Sequence, residues 1–200
     1  MINIIAVIDY GCGNLFSLKN ALDYIGADWK ITGQAADIEA ADRVILPGVG
    51  AYGAAMRMLV ESGLVPVIKA AAQKKPLLGI CVGAQLLFEK GFEFGETEGL
   101  GLLEGTVQLI QAPGLKVPHM GWNNLTLSKP NPMTQGLDGQ YFYFVHSYRI
   151  HTKPEYVLAY ATYGEQIPAL VSKGLVWGAQ FHPEKSGEAG LALLKHFIEM

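Results

Sequence analysis

Leu77–Phe88 reads LLGICVGAQLLF: the apolar run LLGI breaks at Cys81, set between Gly79 and Gly83, and then resumes with helical character. A short, continuous apolar run suits a strand covered on both faces, as in a parallel sheet. Pro76 opens the run. G-x-C-x-G at a strand-to-helix junction is the cysteine form of the nucleophile elbow otherwise written G-x-S-x-G. Side chains two positions either side of the central residue would collide in so tight a turn, and glycine avoids this. The turn holds Cys81 over the carboxyl edge of the sheet, where open α/β folds bind ligands. The helix that follows aims its free N–H groups and positive end at the sulfur, which favours thiolate over thiol. The N–H of Val82 is placed to meet an oxyanion formed by attack at Cys81. An isolated cysteine is more simply a small buried residue, but glycines at both elbow positions argue for a nucleophile.

Outward from this point the first half alternates strand and helix signals. NIIAVI is a second continuous apolar run, and NLFSLKNALDYIG spaces Leu15, Leu18, Leu22 and Ile25 as a helix, with Asn14 as N-cap and Gly26 as the stop. DWKIT and RVIL read as strands, and helices are expected at 51–61 and 64–74. After the glycine-rich GFEFGETEGLGLLEG, short strands dominate: TVQLI, NNLTL, YFYFVHSY, YVLAYATY, PALVSK and LVWGAQF. Residues 187–200 carry Leu191, Leu194 and Ile198 on one helical face. With no repeat and no linker, the expectation is a single α/β domain over residues 1–200. Its central sheet is mostly parallel with helices on both faces, and its second half is antiparallel and β-rich.

Two hundred residues, half of them apolar, with a net charge of −3, have the composition of a compact soluble protein without a polyanion-binding field. No basic cluster points to nucleic acid. MINIIAVIDY is too short for a membrane span and lacks the basic start of an export signal, so a cytoplasmic location is expected. Cys12 and Cys81 have neither metal spacing nor a disulfide pattern, and a reducing compartment leaves Cys81 a free thiol. No metal and no cofactor are expected.

A thiolate that attacks a carbonyl needs a partner to deliver protons. His182 lies in QFHPEKSG at the end of an apolar strand, with Glu184 two residues on. On an extended segment residues two apart face the same side, so Glu184 can fix the imidazole's tautomer, and Pro183 stiffens the step. His119 and His146 lie in aromatic-rich segments and suit a binding surface, whereas His151 and His196 look ordinary. Cys12, in DYGCGN, reads as a small residue in a turn. GVGAYG (48–53) matches the dinucleotide fingerprint G-x-G-x-x-G. It is not in the first strand–helix unit, it follows Pro47, and no acidic residue ends a strand about twenty residues later. Its better use is to present backbone N–H groups near Cys81 beside Val82.

GICVGAQ, PGVGAYG and QFHPEKSG together resemble the triad, or class I, glutamine amidotransferases, and the resemblance covers nearly the whole chain. IDYGCGNLFSLKNAL, PHMGWN and YFYFVHSY are similar to one subgroup, the glutaminase subunits of imidazole glycerol phosphate synthases. The resemblance implies that Cys81 attacks the carboxamide of L-glutamine, that His182 moves protons and that Glu184 orients it. It implies that the Val49–Gly50 peptide and the Val82 N–H serve the oxyanion. Gly48, Gln85, His146, Ser147 and Tyr148 then match positions that hold substrate. Ala84 departs from the family pattern, which more often has methionine there, and a smaller side chain could loosen packing behind the nucleophile.

Ammonia set free in neutral water becomes mostly ammonium, which is no nucleophile, so a productive enzyme passes it on along a dry path. One glutaminase domain therefore needs a synthase partner. By resemblance this is a cyclase barrel that makes imidazole glycerol phosphate and aminoimidazole carboxamide ribotide in histidine biosynthesis. Asn14, Pro118, His119, Met120, Trp122 and Asn123 are the expected contacts in a heterodimer, with Trp122 as anchor. A core tryptophan on a strand is the competing reading of that residue. Two rival functions share the fold: the glutaminase of another synthase and a stand-alone cysteine hydrolase. A non-catalytic binding module is disfavoured by an intact Cys81, His182 and Glu184.

Overall fold

The computed structural model describes residues 4–200, so Asn3, at the start of the expected first strand, lies outside the described residues. The strands are β1 (Ile5–Ile8), β2 (Trp29–Thr32), β3 (Arg43–Leu46), β4 (Leu77–Ile80), β5 (Lys90–Gly91), β6 (Thr97–Glu98) and β7 (Thr106–Leu109). They continue with β8 (His119–Asn124), β9 (Thr126–Leu127), β10 (Tyr141–His146), β11 (Tyr148–His151), β12 (Val157–Tyr163), β13 (Glu165–Lys173) and β14 (Val176–Ala179). The α-helices are α1 (Leu15–Tyr24), α2 (Ala35–Ala40), α3 (Tyr52–Glu61), α4 (Val65–Ala72), α5 (Val82–Gln85) and α6 (Gly187–Glu199).

Eight strands form the main sheet in the order β2-β1-β3-β4-β14-β13-β12-β9. The first five run parallel, and the last three are added antiparallel. β1, β3, β4 and β14 are buried along their whole length, which explains why they read as apolar runs rather than alternations, with Arg43 at the start of β3 the one charged exception. Chain order reverses at β1, whose neighbours are β2 and β3. Right-handed crossovers then put α1 on one face and α2 to α4 on the other, and α2 does pack on α4. Outside this sheet, β8 pairs antiparallel with β10, and β11, β7, β5 and β6 form a four-stranded sheet in that order.

The helices bury a narrow stripe each: Leu18, Ala21 and Leu22 on α1, Tyr52, Ala55, Met56 and Leu59 on α3, Leu193, Leu194 and Phe197 on α6. Removing one such leucine side chain from water contributes about 1.5–3 kcal/mol. One core cluster runs from Ile5 to Phe197, so both ends of the chain share it. Arg43, buried on β3, donates from Nε to the Phe197 carbonyl at 3.0 Å and from Nη2 to Met200 O at 2.7 Å. A guanidinium thus satisfies the free carbonyls at the end of α6 and ties it to the sheet.

Four local expectations need correction. Asn14 sits at the N-cap of α1 but makes no side-chain capping bond. α2 was not expected, because six residues with only Ile38 buried carry no readable period. The strand expected at NNLTL begins earlier, at His119, since pairing with β10 overrides the poor strand propensity of Gly121. The helix after Cys81 is a single turn, so its effect on the sulfur is that of a few local N–H groups rather than of a long dipole. No helix among the described residues is long and apolar enough to cross a membrane.

Candidate active site

Cys81 sits at φ 54°, ψ −112°, a conformation that non-glycine residues adopt only under constraint. Its N–H is bonded to Ala179 O at 2.7 Å, which ties the elbow to β14. A Cβ on Gly79 would lie 2.6 Å from Gly83 O, and one on Gly83 only 2.0 Å from Leu46 O. The two glycines therefore answer to different obstacles, Gly79 to the turn itself and Gly83 to the end of β3. The GVGAYG loop closes on the same point: a Cβ on Gly48 would meet the Gly83 nitrogen at 2.5 Å. Ala84 is fully buried, 3.2 Å from where a Cβ on Gly178 would sit.

His182 Nδ1 donates to Glu184 Oε1 at 2.8 Å, and both side chains are 3% exposed. The Cys81 sulfur lies beside the same imidazole and raises its pKa, and its own Sγ–H reaches toward Val145 O at 4.0 Å. Burial opposes charge on the ring, but the neighbouring sulfur and carboxylate outweigh it and hold the His182 pKa up at about 10. Glu184 reaches back through a 3-10 turn, Pro183–Lys185, rather than along an extended step; the expected contact forms by a different geometry. The backbone of His182 is fixed as well. Its N–H donates to Tyr143 O at 2.9 Å, and Ser186 Oγ donates to its carbonyl at 2.6 Å. Glu184 Oε2 is buried without a hydrogen-bond partner among the described residues.

Cys81 and His182 open into a cavity of about 380 Å³. Val49, Gly50 and Val82 line it on one side, and Gln85, His146, Ser147 and Tyr148 on another. Gln85 Nε2 donates to Tyr148 O at 2.9 Å and to Gln180 Oε1 at 3.0 Å. His146 Nδ1 donates to the same Tyr148 carbonyl at 2.8 Å. Gly48 and Asn14 do not line this cavity; they border a void of about 10 Å³ behind His182 and Glu184. The GVGAYG loop is held by two donors: Tyr10 Oη to Pro47 O and Cys12 Sγ to Val49 O, each at 2.9 Å.

The residues expected at an interface divide. Met120 and Trp122 are 62% and 56% exposed, which removes the core reading of the tryptophan, and Pro118 lines the mouth of the main cavity. Trp122 leans edge-on against Tyr143 at 6.2 Å. Asn123 is half-buried, its amide bonded to Thr162 O. His119 is a correction: on the alternating strand β8 its side chain points inward and is 3% exposed, so it offers no surface to a partner.

Glu93 was missed from sequence. Its carboxylate accepts the Tyr52 N–H at 2.7 Å at the start of α3 while lining the main cavity. Nothing local in GFEFGETEG distinguishes it, because the fold alone brings the loop to the pocket. Gln180, inside QFHPEKSG, was also missed: it is fully buried and accepts from Gln85, a contact between residues 95 apart that the motif alone does not reveal.

The family model for glutamine amidotransferase class-I matches residues 6–200. The chain belongs to the class-I glutamine amidotransferases. Among this family, the chain is 49% identical over 198 residues to "Imidazole glycerol phosphate synthase subunit HisH" of Listeria monocytogenes, covering 98% of this chain and 95% of that one. It is 50% identical over 199 residues to the protein of the same description from Caldanaerobacter subterraneus subsp. tengcongensis, covering 98% of each. A solved glutamine amidotransferase structure superposes with a TM-score of 0.76 at 25% identity, over 98% of this chain and 97% of that one. The structure of PurLQS from Thermotoga maritima shares the amidotransferase fold at a TM-score of 0.76 and 23% identity, over 100% and 99% of the two chains.

Proposed function

We propose that this chain is the glutaminase subunit of an imidazole glycerol phosphate synthase, an enzyme of histidine biosynthesis that hydrolyses L-glutamine and hands ammonia to a cyclase subunit. The observation that carries the reading is a cysteine on a glycine-flanked elbow that shares one cavity, large enough for one amino acid, with His182 of a buried His182–Glu184 pair. In this reading glutamine lies with its carboxamide over Cys81. Glu93 meets the α-ammonium group, and the Ser147–Tyr148 backbone meets the carboxylate end. The sulfur attacks, and the oxyanion is held by the Val82 N–H and the Val49–Gly50 peptide. Collapse of the adduct expels ammonia as His182 protonates the leaving nitrogen, giving a γ-glutamyl thioester. His182 then takes a proton from water, which attacks the thioester and frees glutamate, while Glu184 keeps Nδ1 protonated.

The cyclase docks on the face that carries Met120 and Trp122, next to Pro118 at the cavity mouth, and receives ammonia there. The complex works in the cytoplasm, where glutamine and the sugar phosphate precursor are available. The deciding experiment combines Cys81→Ala with the cyclase partner. Synthesis from glutamine should stop, and synthesis from added ammonium salts should continue. Glutamate release at the parent rate would overturn the nucleophile assignment. Glutamine turnover indifferent to a cyclase ligand would favour another synthase or a stand-alone hydrolase.

A further inference from the structure

Behind the main cavity two imidazoles face each other across the β8–β10 pair, His119 opposite His146. Both are buried, at 3% and 7% exposure. His146 Nδ1–H donates to Tyr148 O, which leaves Nε2 as an acceptor. His119 Nδ1 lies 3.0 Å from that Nε2 and must therefore donate to it. His119 Nε2 in turn accepts from Asn123 Nδ2 at 3.2 Å, and the direction of that amide is set by its bond to Thr162 O at 2.9 Å. One proton arrangement satisfies the chain: both rings neutral, each protonated on Nδ1. Burial pushes the His119 pKa down to about 4 and that of His146 to about 3, which agrees with two neutral rings. A 180° flip of the His119 ring would keep its stacking on Phe144 and Tyr163 but would present carbon to both His146 and Asn123, losing two hydrogen bonds, so the observed orientation is the favoured one.

Tyr148 O lies at the end of this chain and is also the acceptor for Gln85. If His146 carried its proton on Nε2, Nδ1 would bring a lone pair to within 2.8 Å of that carbonyl. Two acceptors at that distance repel, and the cavity wall would have to shift. We infer that His119 is a positioning residue for the glutaminase reaction: by donating to His146 it keeps that ring's proton on Nδ1 and so holds the Tyr148 wall of the substrate cavity in place. This rests on glutamine being the ligand of the cavity.

Two measurements test it. Long-range proton–nitrogen spectra of the labelled full chain at neutral pH should show His119 and His146 both neutral and both protonated on Nδ1. A parent His146 protonated on Nε2 overturns the inference without reference to substrate. The second compares His119→Phe, which keeps a flat ring between Phe144 and Tyr163 but donates nothing, with His119→Asn, whose amide nitrogen replaces Nδ1. At saturating partner the Phe variant should raise KM for glutamine about five- to tenfold with kcat within about twofold, as for loss of one net hydrogen bond at the wall. The Asn variant should return toward the parent. Unchanged KM in a folded Phe variant, or equal loss in both variants, would reduce His119 to packing. Should the Phe variant not fold, the parent spectrum and the Asn variant still decide. A parent that does not turn over glutamine fails the functional reading instead, so the two failures are distinct.

Discussion

Gly83→Ala tests whether the elbow geometry makes the site. The added Cβ would lie 2.0 Å from Leu46 O, 2.9 Å from Leu46 C and 3.0 Å from Pro47 C. Ordinary contact needs about 3.4 Å, so about 1.4 Å must open between the elbow and the end of β3. β3 is held between β1 and β4 and cannot retreat, so the movement falls on α5 and on Cys81. Overpacking of this kind costs about 1–3 kcal/mol, or about 2–12 °C in Tm for a chain this long. A native stability of about 5–15 kcal/mol leaves the variant folded at room temperature. The chemistry should suffer more, since displacing a reacting group by about 1 Å costs about a hundredfold in rate. Thermal melting, glutamate release with partner present, and alkylation of Cys81 separate the two effects. Gly63→Ala is the control: φ is +74° with nothing within 4 Å of the new Cβ, so stability falls by about 1–2 kcal/mol and kcat stays parental. Parental kcat in folded Gly83→Ala would refute the reasoning, whatever the melting temperature.

Glu184→Gln keeps an acceptor for His182 Nδ1–H but loses the charge, so turnover should fall less than in Cys81→Ala or His182→Ala; equal loss in a folded protein would give Glu184 more than an orienting role. Trp122→Ala should leave Tm within a few degrees, since the side chain is 56% exposed, yet weaken cyclase binding by about 2 kcal/mol, about thirtyfold. A titration showing unchanged affinity would move the interface elsewhere. His182 should titrate near pH 10 in imidazole spectra rather than near 6.5, and lower in Cys81→Ala, where the neighbouring sulfur is gone. Because the folded pKa is raised, its contribution to stability is full below pH 6.5 and disappears as pH rises through about 10; a parental midpoint at 6.5 would contradict this.

The parallel half of the fold was legible because its strands are buried on both faces and its helices long enough to show a stripe. LLGI and RVIL could be little else. Elements of two to six residues carry no period, so α2, β5 and β6 were invisible. The Cys81, His182 and Glu184 set was legible because each sits in a short motif whose spacing has a steric cause. Glu93 and Gln180 were not, since only the folded chain brings Glu93 to the cavity and Gln180 against Gln85 behind it. His119 shows a subtler failure. The sequence presents PHMGWN as one surface segment, whereas a strand sends alternate residues to opposite sides, and Met120 and His119 part company at the first step.

The exposure of Trp122 gives the molecule an optical readout of its own. The chain has three tryptophans. Trp177 is buried in the core, and Trp29 is half-buried with its indole N–H bonded to Asp23 at 2.9 Å. Trp122 is the one whose indole stands mostly in water. Its emission is therefore the red-shifted part of the spectrum, and covering β8 with a partner would move that part toward the blue while the other two indoles stay as they were. Docking can then be followed on the unlabelled chain, with Trp122→Phe as the optical blank.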